Sequence, residues 1–418
     1  MIILTGGAGM IGSVIAWHLN SILDRKDIII VDDIQHQDKW NNLSKRTYID
    51  YLDKDDLFPW LEKKQEIEAI IHMGAIRDTT ETDFNNILNQ NIRYSQNLWR
   101  YAADHGVPFL YASSAATYGG GEFGYDDNEA ELRKLRPLNA YGYSKQFFDQ
   151  WAVQQVLAKE KTPPQWCGFK FFNVYGPNEY HKDRMASVVF HAFNQLKTEG
   201  EIRLFKSDRP DYQDGMQLRD FIYVKDAAAV VLHFLSHKKH SGIYNVGTGK
   251  ASSFKALAES LVKSVKGDLN TIKYIDMPND LKGKYQYFTE ANIKKLKDAA
   301  KEKREQEQKS REGKKAGDRA AFEEKKAELC EELENDLKVF DGLGKGKLLN
   351  LLKFYFEDKM PNKSKKTRED LVVLVQLALN ERNKERDGTT NDGGIGGGSE
   401  DSNSISVEAE VEVEQTGV

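Results

Sequence analysis

The stretch that most constrains the fold is a glycine-rich turn near the amino terminus. Residues 1–4 are apolar, glycines follow at positions 6, 9 and 12, and residues 11–23 carry apolar side chains at helical spacing. A strand, a tight glycine turn and a helix in this order bind dinucleotides, because the backbone approaches a pyrophosphate at the amino end of the helix. The order predicts a doubly wound α/β domain in which Gly6, Gly9 and Gly12 contact a cofactor.

The second predicted strand, 27–31, ends in the carboxylates of Asp32 and Asp33. An acid at this distance from the glycine turn commonly accepts a hydrogen bond from the adenosine ribose. On that ground alone the pair favours NAD, because carboxylates repel the 2′-phosphate of NADP.

Tyr141 and Lys145 lie four residues apart in a predicted helix, so their side chains share one face. An ammonium beside a phenol lowers the tyrosine pKa from about 10 toward neutrality, where the phenolate can take a proton from an alcohol. Such a pair more often decorates a solvated helix face. Here the glycine turn supports a chemical role, as does Ser114 at the end of a predicted apolar strand, which can donate to the same substrate oxygen.

Strand and helix patterns continue to alternate, as a doubly wound domain requires. Further strands are predicted at 68–72, around Tyr111, and at 168–174 and 202–205, with helices at 85–105, 186–196 and 224–235. The segment 242–248 and a helix at 254–265 complete the pattern.

Together these motifs resemble the extended short-chain dehydrogenase/reductase family, whose nucleotide-sugar epimerases and dehydratases carry the glycine turn, a strand-end Ser or Thr and the Tyr-x-x-x-Lys pair. Longer runs are similar to the epimerases of an ADP-linked heptose within that family: HMGAIRDTTETD (72–83), YASSAATYG (111–119), RPLNAYGYSK (136–145), FKFFNVYGPNEYHK (169–182), MASVVFH (185–191), LRDFIYV (218–224) and KGKYQYFTEA (282–291). The resemblance covers residues 1–297. It implies an enzyme that interconverts the D-glycero and L-glycero forms of the ADP-linked heptose by transient oxidation at C6″.

The resemblance also implies the site residues. The acid/base group is Tyr141 with Ser114 and Lys145, and Lys182 is a second acid/base, since hydride return to the opposite face benefits from proton transfer on two sides. Asp183 and Arg184 replace residues that are commonly small in this loop, and Arg77 likewise replaces a small residue.

The implied cofactor-binding residues are Gly6, Gly9, Met10, Ile11, Gly12, Asp32, Asp33, Lys39, Lys54, Met73, Gly74, Ala75, Ile76, Arg77, Asn91, Lys145 and Val174. Lys39 and Lys54 fall where the family places lysines near the NADP phosphate, so we favour NADP and keep NAD as the alternative. The implied substrate-binding residues are Asn173, Arg184, His191, Leu204, Phe205, Lys206, Ser207, Arg219 and Tyr285. The guanidinium fork of Arg219 suits the ADP pyrophosphate.

The expected domains follow from this reading. Residues 1–175 form mainly the Rossmann domain, to which 218–248 returns, and 176–297 form mainly a smaller sugar-binding lobe. Residues 298–336 are predicted as a charged helix or linker, 337–385 as a short helical pair and 386–418 as a disordered tail. Members of the family end in a closing helix soon after the segment that matches 282–291. Here 294–297 lead into the charged segment, so the closing helix is expected to come from 337–356 or to be missing. Two short helices usually bury each other, so nucleic-acid binding is not expected.

Composition and charge narrow the classes of function and location that remain. The formal net charge of −5 gives no basic signal for nucleic acid. Cys167 and Cys330 have no metal-ligand spacing, so no metal or disulfide framework is expected. No apolar leader or membrane-length run is visible, which predicts a cytosolic protein that acts on an ADP-sugar. A homo-oligomer is expected from the resemblance. The alternatives are another nucleotide-sugar epimerase or 4,6-dehydratase, or a non-catalytic scaffold with a nucleic-acid-associated tail.

Overall fold

The computed structural model of the protein describes residues 1–34, 38–63, 66–78, 81, 83–265, 267–278 and 286–301. All of them fall in the first of two units into which the chain divides, Met1–Lys309 and Ser310–Val418. The predicted helical pair at 337–385 and the predicted tail at 386–418 lie outside the described residues, as does Tyr285. Only the first four residues of the predicted segment 298–336 are described.

The strands are β1 Ile2–Thr5, β2 Ile28–Asp32, β3 Asp50–Asp53, β4 Ala69–His72, β5 Phe109–Ser114, β6 Trp166–Phe171, β7 Asn173–Tyr175, β8 Ile202–Phe205, β9 Leu218–Tyr223, β10 Gly242–Val246, β11 Ala251–Ser253 and β12 Ile272–Ile275. The helices are α1 Met10–Ser21, α2 Leu57–Leu61, α3 Phe84–Ile87, α4 Tyr94–His105, α5 Ala140–Leu157, α6 Val188–Glu199, α7 Val224–Ser236 and α8 Phe254–Ser264. A π-helical segment, Leu88–Arg93, joins α3 to α4.

The main sheet has seven strands in the order β10-β6-β5-β4-β1-β2-β3, and all its pairs are parallel. Strand β1 lies between β2 and β4, with Leu4 opposite Ile30 on one side and Ile71 on the other. The strand order reverses at this point, and ligands of open α/β sheets bind in the crevice at the carboxyl ends beside such a reversal. The predicted doubly wound Rossmann fold is confirmed.

Two layers of helices bury the two faces of the sheet. Leu4 belongs to one buried cluster, to which α1 contributes Ile15 and α7 contributes Phe234. Its neighbour Ile3 points to the opposite cluster, which contains Trp99 of α4 and Phe148 of α5. Alternate residues of one strand thus reach opposite faces, and both faces are apolar because helices cover both.

The smaller lobe is built from a three-stranded sheet, β11-β9-β7, and a two-stranded sheet, β12-β8, packed against α6 and α8. Its core is small and consists of Ala192, Ile202, Leu204, Ala258 and Val262. The predicted strand at 168–174 is in fact two strands. The chain turns at Phe172, and β7 leaves the main sheet to pair with β9.

The closing helix expected at 337–356 lies outside the described residues, but a helix is present earlier in the chain. A helix begins at residue 294 and extends through residue 301. Leu296 packs against the main core and Ala299 is buried in it, while Lys295 Nζ donates to the Ile243 carbonyl at 2.9 Å on the edge strand. Apolar cover at this edge therefore begins directly after residue 293.

Candidate active site

The glycine turn forms a backbone cradle between β1 and α1. Gly6 has φ +65°, and a Cβ on it would lie 2.6 Å from the Gly74 nitrogen. A Cβ on Gly12 would overlap the Gly6 carbonyl oxygen. Only glycine permits this close approach at both positions, and the amino end of α1 opens directly beside it. The arrangement fits the pyrophosphate of a dinucleotide.

The two acids at the end of β2 are each paired with a lysine. Asp32, which is 7% exposed, accepts from the Ala8 amide at 2.8 Å and from Lys39 Nζ at 2.5 Å. Lys54 Nζ lies 2.7 Å from the Asp33 carboxylate, and this bond raises the pKa of Lys54. The ammonium groups offset the negative charge that would repel a 2′-phosphate.

Two cavities run along the carboxyl ends of the strands, one of about 540 Å³ and one of about 190 Å³. The larger volume falls in the range of small-molecule sites. The smaller cavity lies over the glycine turn, and Arg77 and His181 line both. All the predicted cofactor residues except Asn91 and Lys145 line one cavity or the other.

Asn91 is placed differently from the prediction. It is buried, and its amide accepts from the Ile76 nitrogen at 2.8 Å and donates to the Ile76 carbonyl at 2.8 Å. It also donates to Ser144 Oγ at 3.0 Å. Asn91 therefore holds the loop after β4 to the start of α5, and that loop in turn lines the cleft.

Tyr141 and Ser114 meet where β5 ends and α5 begins. The Asn139 side chain caps α5 by accepting from the Gly142 amide at 2.8 Å, which places Tyr141 in the first turn. Burial raises the pKa of Tyr141, while its hydrogen bond with Ser114 and the charge of Arg77 lower it. The prediction that Lys145 lowers the pKa of Tyr141 is wrong for this structure. Burial raises this pKa, and the groups that lower it are Ser114 and Arg77.

Lys145 points instead to the backbone of β5. The residue is 5% exposed, and its ammonium donates to the Ala112 carbonyl at 2.8 Å. Burial lowers its pKa to about 8, against the charge of Asp149. A lysine with this pKa is still mostly charged at about pH 7 and loses its charge over roughly the next one to two pH units, well below the range of an ordinary lysine.

A buried ion pair, which the sequence did not reveal, lies beneath this helix. Asp149 of α5 and Lys170 of β6 are completely buried and 3.1 Å apart. Asp149 also accepts from Tyr111 at 3.0 Å and Ser113 at 2.6 Å. These bonds fix α5 to the sheet one turn beyond Lys145. The only sequence signal is the four-residue spacing from Lys145 to Asp149.

Lys182 lies in the loop after β7 and lines the smaller cavity. Its side chain is 15% exposed, and its ammonium lies 3.3 Å from the Glu179 carboxylate. Burial lowers the pKa of Lys182, and Glu179 opposes this effect. Glu179 also accepts from the Gly176 amide and from the amide and hydroxyl of Ser187. This buried carboxylate, which we did not predict, organises the whole loop.

Side-chain amides tie the Lys182 loop to the glycine turn. Asn42 donates to the Ala8 carbonyl at 2.9 Å and lies 3.3 Å from the His181 ring nitrogen. Asn178 donates to Ser13 Oγ at 2.9 Å. Neither His181 nor Asn42 carried a sequence signal, because their meeting spans 139 residues.

The predicted substrate residues are dispersed over the lobe. Arg219 of β9 is buried, with its guanidinium 5.7 Å from the Phe254 ring. Leu204 is buried in the lobe core, so its side chain is not available to a ligand. Lys206 pairs with Asp276 at 3.1 Å. The remaining described ones are partly or fully exposed: Asn173, Arg184, His191, Phe205 and Ser207.

The described part of the chain contains neither a membrane-spanning helix nor a cluster of metal ligands. Within those ranges no helix is both long and apolar enough to cross a bilayer. Over the same residues, no group of three or more His, Cys, Asp or Glu side chains is arranged to hold a metal ion.

Comparison with known proteins adds to this geometry. The model of the NAD dependent epimerase/dehydratase family matches residues 2–247. ADP-L-glycero-D-manno-heptose-6-epimerase of Fusobacterium nucleatum is 52% identical over 308 residues, which are 71% of this chain and 91% of that protein.

Solved structures show the same fold. The crystal structure of Helicobacter pylori ADP-L-glycero-D-manno-heptose-6-epimerase is similar with a TM-score of 0.58 and 28% identity, over 70% of this chain and 87% of that one. A dTDP-glucose 4,6-dehydratase of Bacillus anthracis, solved in complex with NAD, is similar in fold with a TM-score of 0.58 and 19% identity, over 72% of this chain and 90% of that one.

Proposed function

The chain belongs to the NAD dependent epimerase/dehydratase family, and on that premise we propose that it inverts C6″ of an ADP-linked glycero-manno-heptose. The observation that carries the proposal is the placement of Ser114, at the end of β5, beside Tyr141 in the first turn of α5, where Ser114 lowers the pKa of Tyr141. It joins a proton donor to a candidate base where β5 and α5 meet, within electrostatic range of Arg77 in the glycine-lined cleft. The names of the relatives support the choice of substrate.

The proposed acid/base residues act on the C6″ centre of the substrate from two sides. Ser114 orients the C6″ oxygen, and Tyr141 takes its proton as the alcohol becomes a carbonyl. A bound nicotinamide supplies the reversible removal of hydride from C6″ that inversion requires. Lys182 reaches the cleft from the loop after β7 and exchanges a proton with the substrate from the second side. Tyr141 and Lys182 therefore serve as the two acid/base groups.

The adenosine end supports NADP as the preferred cofactor. Lys39 and Lys54 stand beside the two carboxylates that follow β2 and both line the larger cavity. Their ammonium groups neutralise the two carboxylates and can each donate a hydrogen bond to a 2′-phosphate. Replacement of Lys54 by Ala, compared with Lys26→Ala on the surface, should lower the preference for NADP over NAD about tenfold, as a lost partly buried charge contact does. An unchanged ratio of dissociation constants would favour NAD as the physiological cofactor.

The experiment that tests the proposed function is direct. Purified protein is incubated with ADP-D-glycero-D-manno-heptose, and the configuration at C6″ is followed by NMR without added cofactor. Inversion with no net change in the nicotinamide is the expected result. Turnover of UDP- or GDP-hexoses in place of the heptose would point to another nucleotide-sugar epimerase or a 4,6-dehydratase.

We also propose that the protein is located in the cytosol, since Cys167 is a free buried thiol.

A further inference from the structure

The loop of residues 176–187, which we call the strap, lies against the glycine turn. His181 and Lys182 of the strap line the cavity of about 190 Å³ that the three glycines of the turn also line. The Lys182 ammonium is 3.3 Å from Met10 Sδ, at the start of α1. A group that fills this cavity is therefore in contact with the turn and the strap together, and a pyrophosphate bound at the turn is covered by the strap.

Asn42 joins the strap to the turn. It lies on a short 3₁₀ helix, Lys39–Leu43, and is 4% exposed. Its amide nitrogen donates to the Ala8 carbonyl at 2.9 Å and to the Asn178 carbonyl at 3.3 Å. The same nitrogen lies 3.3 Å from the His181 ring. One buried amide thus meets a backbone carbonyl of the turn and two groups of the strap.

Asn178 makes a second connection between the same two segments. Its φ of +73° is a left-handed conformation that asparagine tolerates better than most residues. Its side chain donates to Ser13 Oγ at 2.9 Å, in the first turn of α1. Ser13 is fully buried, and its hydroxyl donates to the Met10 carbonyl at 3.1 Å. The strap is therefore fastened to the end of α1 at which a pyrophosphate binds. We call Asn42 and Asn178 the clasp.

The strap is itself closed by bonds between its two ends. Glu179 accepts from the Ser187 amide at 2.6 Å and from its hydroxyl at 2.7 Å. From the loop after β4, Arg77 donates to the His181 carbonyl at 3.4 Å. Lifting the strap from the turn therefore requires the bonds of the clasp to break. Those bonds all join protein groups, so the clasp holds the strap in the free and the bound protein alike.

We propose that the clasp retains the nicotinamide dinucleotide. Asn42 and Asn178 keep the strap over the glycine turn, and the breaking of their bonds limits both the association and the release of the dinucleotide. This inference goes beyond the proposed epimerisation and rests only on the binding of a nicotinamide dinucleotide. Slow release suits the proposed inversion, because the hydride that is removed is returned to the same substrate and the cofactor need not exchange between turnovers.

The first test measures exchange of the bound dinucleotide. The purified full chain is incubated with an excess of ¹³C-labelled NADP or NAD, according to which one the acid extracts of the wild type contain. Incorporation of label is followed by mass spectrometry. Asn42→Leu, which keeps the approximate size of the side chain but has no donor, should exchange about tenfold faster, the scale of a lost buried hydrogen bond. Asn41→Leu, at the exposed neighbouring position of the same short helix, should exchange at the wild-type rate.

The second variant, Asn178→Gly, removes the bond to Ser13 without straining the backbone, because glycine adopts a positive φ readily. Exchange should be about three- to tenfold faster. Lys159→Gly is the matched control, since Lys159 is an exposed residue with φ +57°, and it should exchange at the wild-type rate. A thermal melt of each variant checks folding, and Asn178→Gly carries the test if Asn42→Leu does not fold.

Equilibrium dialysis distinguishes a clasp from a weakened binding site. Because the clasp holds the strap with and without ligand, its loss should speed association and release by similar factors and leave the Kd nearly unchanged. A Kd that rises by the same factor as the exchange rate would show that the amides act through the site itself, and would overturn the inference. Wild-type exchange rates in both clasp variants would also overturn it.

These measurements do not depend on epimerase activity. Faster exchange in the clasp variants of a protein that inverts no heptose would support the clasp and remove the proposed function. A wild type that neither carries nor takes up a nicotinamide dinucleotide would overturn the inference.

Discussion

The Glu179 carboxylate lies 3.3 Å from the Lys182 ammonium within one loop, three residues before it. The same carboxylate accepts from the Ser187 amide at 2.6 Å, at the start of α6. One buried acid thus places the lysine at the cleft and connects the loop to the smaller lobe. It also favours the charged form of Lys182, in opposition to burial and to Arg77.

Replacement of Glu179 by Gln should destabilise the protein and impair turnover together. The amide keeps one acceptor but presents an NH₂ group where bonds from Ser187 and Gly176 converge. A charge-assisted buried hydrogen bond contributes about 1.5 to 3 kcal/mol, so we expect an unfolding free energy lower by that amount in urea titrations. Glu199→Gln, which removes an exposed acid paired with Arg203, is the matched control and should change stability by less than about 0.5 kcal/mol. A stable and fully active Glu179→Gln would show that the loop needs no carboxylate.

Tyr141→Phe and Lys182→Met should each lower the epimerisation rate by about 10²-fold or more, the scale of a lost general acid or base. The dinucleotide should stay bound in both variants, because the pyrophosphate cradle is formed by the backbone of the glycine turn, which Lys182 meets only through Met10 Sδ at 3.3 Å. NMR of the C6″ configuration measures the rate, and the nicotinamide content of acid extracts measures the binding. Near wild-type turnover by Lys182→Met would remove Lys182 from the mechanism.

Gly12→Ala should yield a protein that purifies without nicotinamide. The added Cβ would overlap the Gly6 carbonyl oxygen and force the turn away from α1. Gly120→Ala is the matched control, since the Cβ there meets mainly the flexible Glu122 side chain. Absorbance and enzymatic assay of perchloric-acid extracts distinguish the two. Full nicotinamide content in Gly12→Ala would contradict the proposed cradle.

His72 should make the protein less stable as the pH falls below about 6.5. It is buried, with ring nitrogens 2.6 Å from Thr5 Oγ1 and 2.8 Å from Ser95 Oγ. Burial, followed by the charge of Lys145, lowers its pKa to about 3. The unfolded chain then binds one more proton between pH 6.5 and 3, so the unfolding free energy falls by about 1.4 kcal/mol per pH unit across that window.

Urea titrations at pH 7 and pH 5 check this slope against a His72→Gln variant, in which the contribution is absent. His105→Gln, at the exposed end of α4, should keep the wild-type slope. Because both proteins share every other titratable group, the difference in slope isolates His72. Identical slopes in wild type and His72→Gln would mean that the buried imidazole accepts a proton while the protein stays folded.

Local patterns were sufficient for most of the main domain. The glycine turn of residues 6–12, the period of the apolar residues in β1 and the helical spacing around Tyr141 depend only on neighbours in the chain, and the structure places elements where they predict them. The short strands β3, β11 and β12 were missed. Each has only three or four residues, too few to show a period, and each forms because a partner strand lies beside it.

The sequence by itself determined the fold class, the family and the residue types of the cleft, because these are written in short contiguous motifs. Only the tertiary structure decided which groups surround them. The Asp149–Lys170 pair, the contact of Asn42 with the His181 ring and the contact of Arg77 with the His181 carbonyl each join distant segments. Burial and neighbouring charge set the pKa of a side chain, and both are properties of the folded surroundings that no local spacing encodes.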